Sequence, residues 1–458
     1  MKNLFYMILV PVLALLLFSC KAGRIYKTPE MNIPGKFDSQ GMEQGNINDI
    51  GWSTLYPDTI LQGLISKALE NNKDMLSAYA RIREMIASRR IKFSELFPQI
   101  GVQAIADKEY LNYGGDNKTY SPEINAYLTF GWELDIWGNL RYQNDAGIAA
   151  YLQSVESQKA LQLTVVSQVA QMYFELKALD RELRIVQQTL DSRHEAVTFA
   201  KLRYEGGMTS EIPYRQSLVE HARTETLVPK LQYEIRQKEN DLSMLLGEFP
   251  THIHRGEDIS LYADTPDLPI DLPSELLQQR PDVRQAEQKL KEAHANAGVA
   301  YTNMFPRIKL TGNLGFENSE IKDFLKSPAW YIAGSLTSPL FSMGKNKAAH
   351  KAALAIYEQE TYAYEKKILD VFREVNNALE FFNKTKEMYE STEALYQSAQ
   401  LYHALARLQY VNGVISYIDV LDAQRQLFDA EIALNDAILD KLLATVSLYK
   451  ALGGGITE

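Results

Sequence analysis

Few side chains in this sequence have the types and spacing that chemistry uses. Asp419, Asp422 and Arg425 stand three residues apart, so on a helix they share one face. Such a face is either a solvated, salt-bridged surface or a place where crowded carboxylates select and hold ions. Arg280-Pro281-Asp282-Val283-Arg284 has the look of a reactive cluster. Its simpler reading is a helix start, with Pro near the first position and Asp in the first turn complementing the dipole. His252 and His254 flank Ile253 in an irregular connector without further His or Cys nearby, which is too few ligands for a metal. There is no His-Glu-x-x-His and no phosphate-cradling glycine loop. The chain does not read as an enzyme, and no cofactor or metal is expected.

The elements that carry these residues come in two copies, about 206 residues apart. Phe97-Pro98-Gln99-Ile100 recurs as Phe305-Pro306-Arg307-Ile308, Tyr204-Glu205-Gly206-Gly207 as Tyr410-Val411-Asn412-Gly413, and Leu246-Gly247 as Leu452-Gly453. Asp74 has its echo at Asp282. Near-constant spacing across four landmarks indicates a duplicated fold. Subtracting the offset from Asp419, Asp422 and Arg425 gives Pro213, Gln216 and Val219, so the carboxylates belong to the second copy alone.

Each copy holds strands and long helices. Ile124, Ala126, Leu128, Phe130, Trp132, Leu134 and Ile136 alternate with polar or small residues, a period of two that specifies a strand. Ile308, Leu310, Leu314 and Phe316 alternate in the same way, and weaker alternation runs through Ile100–Ala106 and Trp330–Leu340. Gly114-Gly115-Asp116-Asn117 marks one hairpin turn and a polar loop at 317–327 the other. A half-buried soluble sheet alternates similarly. Strands of about ten residues or more suit a tilted membrane strand. Trp132, Trp137, Trp330, Tyr127 and Tyr331 are candidate interfacial anchors. Four strands cannot close a conducting barrel, so a channel would need several copies; three give twelve strands.

No Gly or Pro occurs from Ile148 to Glu205 or from Lys345 to Asn412. The first stretch spans roughly 85 Å if helical. Val165, Val169, Met172, Leu176, Leu179, Leu183, Val186 and Leu190 keep a 4-3 spacing, and Ile368, Val371, Val375, Ala378 and Phe382 match them, as coiled-coil packing requires. The spacing predicts helices over 72–96, 139–205, 212–247, 281–304, 345–412 and 415–451, with Pro229 bending the return helix. Hairpins fall at 98–137 and 306–341. Repeat 1 covers 51–250, a connector 251–272, and repeat 2 273–455.

The formal net charge of −10 and pI near 5.4 exclude the basic face that a nucleic-acid binder needs. Lys2 and the apolar run Leu4–Phe18 form a signal peptide over 1–19. Leu17-Phe18-Ser19-Cys20 resembles a bacterial lipobox, with Phe18 where a small residue is usual, and the rival reading is an ordinary signal with an incidental Cys. On the lipobox reading Cys20, the single cysteine, carries covalent lipid and starts an anchored extension over 20–50. No later segment is apolar enough for a membrane helix, so any further spanning must use strands.

Nearly the whole mature chain resembles the TolC family of bacterial outer-membrane efflux proteins, in its lipoprotein branch serving resistance-nodulation-division pumps. The resemblance rests on Leu272-Pro273-Ser274-Glu275-Leu276-Leu277, Arg280-Pro281-Asp282-Val283-Arg284-Gln285-Ala286-Glu287, Phe305-Pro306, Asp419-Val420-Leu421-Asp422-Ala423-Gln424-Arg425, and Leu448 to Gly455. Trp52, Leu61, Leu64, Ile65, Ala68, Leu69, Asn72 and Asp74 match the family's first helices. It implies a mixed α/β, mainly α membrane protein: a homotrimer with a twelve-stranded β-barrel running on into a twelve-helix α-barrel. It also implies a periplasmic adaptor and an inner-membrane pump as partners, a lipid-anchored outer-membrane location with a large periplasmic extension, and passive export of drugs or toxic compounds. Asp419 and Asp422 match residues at that family's periplasmic aperture. Arg425 and Tyr410 are then candidates to hold it closed and Ile418 to supply an apolar ring, with opening as an outward swing of residues 345–451. The rivals are a duct for type I protein secretion and a non-conducting coiled-coil scaffold lipoprotein.

Overall fold

The computed structural model describes residues 21–35, 37, 50–112, 118–256, 258–262, 269, 273–339 and 341–454. Cys20, the Gly114–Asn117 turn and Leu340 lie outside the described residues. In chain order the elements are α1 (Trp52–Leu55), α2 (Thr59–Asn71), α3 (Lys73–Ser94), β1 (Gln99–Asn112), β2 (Lys118–Leu134), α4 (Asn139–Glu205), α5 (Glu211–Glu225) and α6 (Leu227–Leu245). A short 3-10 turn, Ile259–Tyr262, precedes α7 (Pro273–Gln279), α8 (Pro281–Thr302), β3 (Arg307–Asn318), a second 3-10 turn (Ile321–Lys326), β4 (Pro328–Thr337), α9 (Lys345–Val411) and α10 (Tyr417–Ala451).

The duplication is built into the helix ends. Both long helices, α4 and α9, have 67 residues. Each is preceded by a glycine at positive φ, Gly138 at 82° and Gly344 at 78°. Each ends in a left-handed glycine, Gly207 at 70° and Gly413 at 73°, and the return helices do the same at Gly247 and Gly453. At each of these four ends the next N–H reaches back to close the last turn, as in Met208 N to Arg203 O and Val414 N to Gln409 O, both 2.9 Å. The single return helix expected over 212–247 is two helices in copy one. The break falls at Thr226, three residues before Pro229, because Pro229 offers no N–H to the carbonyl one turn earlier.

Contacts divide the chain into two units: 1–31, 80–156 and 284–367 in the first, and 32–79, 157–283 and 368–458 in the second. The first holds one antiparallel sheet in the order β1-β2-β3-β4, so β2 of copy one pairs with β3 of copy two. Its register aligns Ile100, Phe130, Gly312 and Ile332 across all four strands, and likewise Val102, Leu128, Leu314 and Trp330. One face is therefore apolar, and it is exposed: Ile100 by 77%, Trp330 by 73%. Tyr127 and Tyr331 lie opposite Gly315 and Asn313 on the other, polar face, where the Tyr127 hydroxyl bonds Glu317. Their rings therefore stand on the face opposite Trp132 and Trp330, because side-chain direction follows strand parity rather than residue type. Trp132 is on the apolar face and donates to Leu96 O, while Trp137 stacks on Phe305 at 5.0 Å. Residues 21–28 lie along this unit, with Ala22 N bonded to Trp137 O, Lys21 paired with Asp145, and Tyr26 edge-on to His294.

The second unit buries the 4-3 seam. Val165, Val169, Leu176 and Val186 of α4 are buried, as are Ile368, Val371, Val375, Ala378 and Phe382 of α9. The strongly apolar α10 adds Leu434, Ile438, Leu442, Leu448 and Tyr449. Arg280 is buried and paired with Asp282 and Glu374, and it donates to Ala451 O at the end of α10. The segment that looked reactive is thus a helix start tied to a helix end. His252 Nδ1 lies 2.6 Å from Glu239, and among the described residues no three His, Cys, Asp or Glu side chains form a metal cluster. Nor is any described helix long and apolar enough to cross a membrane.

Candidate functional site: the turns that end the long helices

All of the residues singled out near Tyr410–Arg425 lie in the second unit, around the turn from α9 to α10. That turn is shaped by its own capping. The Ser416 N–H and hydroxyl both donate to Asp419 Oδ2, at 2.9 and 2.8 Å, and Ser416 receives a reciprocal bond from the third residue of the helix. This is a capping box. Asp419 therefore spends its carboxylate on the helix start, whereas in copy one the equivalent position is Pro213 and Ser210 makes no side-chain cap. Asp422, one turn on, accepts from Gln426 Nε2 at 2.7 Å and from the Tyr402 hydroxyl of α9 at 3.3 Å. Ile418 is more than half exposed and makes no part of the core.

Tyr410 joins the copies. Its ring meets Tyr417 at 5.5 Å and Phe199 of α4 edge-on at 6.5 Å. The Arg203 guanidinium sits over both Tyr410 and Phe199, at 5.1 and 5.7 Å from the ring centres, a cation held by two aromatic faces.

Arg425 joins them by charge. Its guanidinium donates to Glu220 of α5, across 205 residues of sequence. The Glu220 side chain is only 4% exposed, and on its other side Arg193 of α4, 7% exposed, approaches the same carboxylate at 3.3 Å. Arg193 also donates to Glu220 O at 2.9 Å, bonds the Thr224 hydroxyl, and lies over the Phe428 ring of α10. Burial alone would raise the Glu220 carboxyl. The Arg425 hydrogen bond and charge, with Arg193 and Arg223, outweigh it and hold the carboxyl below the usual carboxylate range. The same bond pushes Arg425 up, while burial and the neighbouring Arg425 charge bring Arg193 down.

The turn thus gathers Tyr410, Asp419, Asp422 and Arg425, but in separate roles: a ring contact, a cap, a surface acceptor and an inter-copy ion pair. Sequence reasoning did not single out Arg193, Arg203 or Glu220. A signal existed for Arg193, which follows Val186 and Leu190 at the next 4-3 position of an otherwise apolar seam, where a charge needs a buried partner. Glu220 gives none by itself, since its partners are distant in sequence.

The strand-and-helix architecture is that of outer-membrane channels: the solved structure of the channel OprN superposes with a TM-score of 0.89 at 26% identity, covering 95% of this chain and 100% of that one. The model of the outer membrane efflux protein family matches residues 64–248 and 272–454, and the chain belongs to that family. Similar curated proteins include the cation efflux system protein CusC of Escherichia coli O6:H1 (strain CFT073), 30% identical over 80% of each chain. Another is SilC of Salmonella typhimurium, described as a probable outer membrane lipoprotein, 30% identical over 77% of this chain and 78% of its own. The protein is an efflux channel of the outer membrane, in a family of channels rather than enzymes.

Proposed function

We propose that three copies form the working unit, closing a twelve-stranded barrel that continues into a helical tunnel, and that the unit is the passive exit duct of a tripartite pump. The sheet edges carry this reading. Among the described residues β1 pairs only with β2 and β4 only with β3, which leaves an edge of 14 residues and another of 10. Unpaired backbone is not tolerated in hydrocarbon, so strands with an exposed apolar face must meet another copy edge to edge. An adaptor and an inner-membrane pump supply energy and cargo choice. The cargo is small molecules, cations among them, as the CusC description and the chain's acidic charge favour. Cys20 carries lipid, in keeping with SilC being called a lipoprotein.

The gate lies at the helix turns. The Arg425–Glu220 pair and the Tyr410–Arg203–Phe199 stack hold the return side of copy two against copy one, and opening separates them by an outward swing of α9 and α10. Asp422 and Ile418 then line the aperture, with Asp419 holding the turn in shape. Reconstitution in planar bilayers tests the reading. Wild-type protein is expected to insert as a trimer of low conductance, and R425Q is expected to conduct more. No current from any variant would leave a scaffold as the better account. An unchanged conductance in both R425Q and D422N would move the gate elsewhere.

A further inference from the structure

Arg193 and Glu220 raise a question that the gate alone does not answer. Breaking an ion pair with a carboxylate as buried as Glu220 should leave an uncompensated charge, an expensive outcome that would lock the channel shut. We propose that Arg193 is a standing counter-charge, which stays on Glu220 when Arg425 departs and so keeps the gate openable. The inference rests on the gate reading above and goes one step further, to why the gate is not permanently closed.

The geometry separates the two arginines. Arg193 is almost fully buried; it donates hydrogen bonds to the peptide carbonyl of Glu220 and to the Thr224 hydroxyl, and pairs with the carboxylate by charge at 3.3 Å. Its hydrogen-bond and ion-pair partners lie on α5 of copy one, while α10 of copy two presents the Phe428 ring and the more distant Asp429 charge. Arg425 is half exposed and holds Glu220 through the carboxylate alone. When copy two swings away, Arg425 therefore passes into water, while Arg193 remains where it was. Two cations on one carboxylate also repel, and Arg425 is close enough to bring Arg193 down. The closed state is thereby weakened and the open state is spared a bare carboxylate. Both effects point the same way.

The consequence is a sign that a mere strut would not give. Removing Arg425 should favour opening, whereas removing Arg193 should oppose it, because Glu220 then has Arg425 as its sole partner. Opening frequency is read in long single-channel recordings of the full-length trimer. R425Q is expected to raise it about tenfold, the scale for a half-exposed partner on a buried charge, and R193Q to lower it by at least about as much, since Arg193 is buried. R193K restores the charge and should recover opening relative to R193Q. In an E220Q background, where no carboxylate needs a partner, adding R193Q should have no further effect. If R193Q opens the channel as R425Q does, or if R193K fails to recover it, Arg193 is a strut and the proposal falls while the gate stands. If R425Q has no effect, the gate reading itself fails.

Discussion

Replacing Gly315 with alanine should break the join between the two copies at the middle of the sheet. Gly315 pairs with Tyr127 across the β2–β3 boundary, and a Cβ added there would lie 1.9 Å from Ala126 O and 2.8 Å from Tyr127 Cα. Both are backbone atoms, so no rotamer change relieves the clash. A carbon–oxygen contact needs at least about 3.3 Å, so the strands must part by roughly 1.4 Å. A ladder bond stretched that far from its usual ~2.9 Å is lost. Losing the two bonds of one residue pair costs about 2 kcal/mol by the net value in water, and more in hydrocarbon, where each unpaired group costs several kcal/mol. The measurements are the thermal midpoint in detergent and the fraction that inserts and conducts in bilayers. G315A should lose both, while G131A, whose added methyl meets nothing within 4 Å, should behave as wild type. Equal behaviour of the two variants would refute the claim that β2 and β3 pair at this register.

Three further outcomes follow from the second unit. Glu220 titrates below its ordinary value near 4.5, so its ion pair is fully present above that pH and is lost as pH falls through the lower folded value. Acidification that carries Glu220 through its lowered folded value should open wild-type channels but leave E220Q unresponsive, which pH-stepped conductance checks. S416A should cost about 1 kcal/mol at the start of α10, visible as faster amide exchange over 417–420. S210A, which removes no side-chain cap, should show no such change at α5. R280M leaves Asp282, Glu374 and the Ala451 carbonyl without their shared donor. A loss of about 1–3 kcal/mol is expected, chiefly from the buried Ala451 carbonyl, read as a lowered thermal midpoint in detergent.

Much of the fold was legible because it is written in periods. A period of two fixed the faces of β2 and β3, a 4-3 spacing fixed the seams of α4 and α9, and glycine-bearing turns fixed where the long helices end. The break at Thr226 was nearly legible, since Pro229 forbids a bond but does not say how far upstream the helix will yield. Two tyrosines show the limit of composition. Tyr127 and Tyr331 look like interfacial anchors by type, yet parity sends them to the polar face, and Tyr127 alternates with Leu128 in plain view.

The candidate site was half legible for a different reason. Caps and turns are local, so Ser416 and Asp419 could be read from four residues of sequence. An ion pair such as Arg425–Glu220 has no local grammar: the offset of about 206 residues relates equivalent positions, and Glu220 is equivalent to Gln426, not to Arg425. Duplication therefore builds the scaffold symmetrically while the charges that join the copies at the helix turns are asymmetric, carboxylate in copy one and half-exposed guanidinium in copy two. That asymmetry is what the proposed opening would use. In the proposed opening a symmetric pair would offer no preference for which half swings, whereas here Arg193 and Glu220 both belong to copy one, and copy two carries the partner that water can accept.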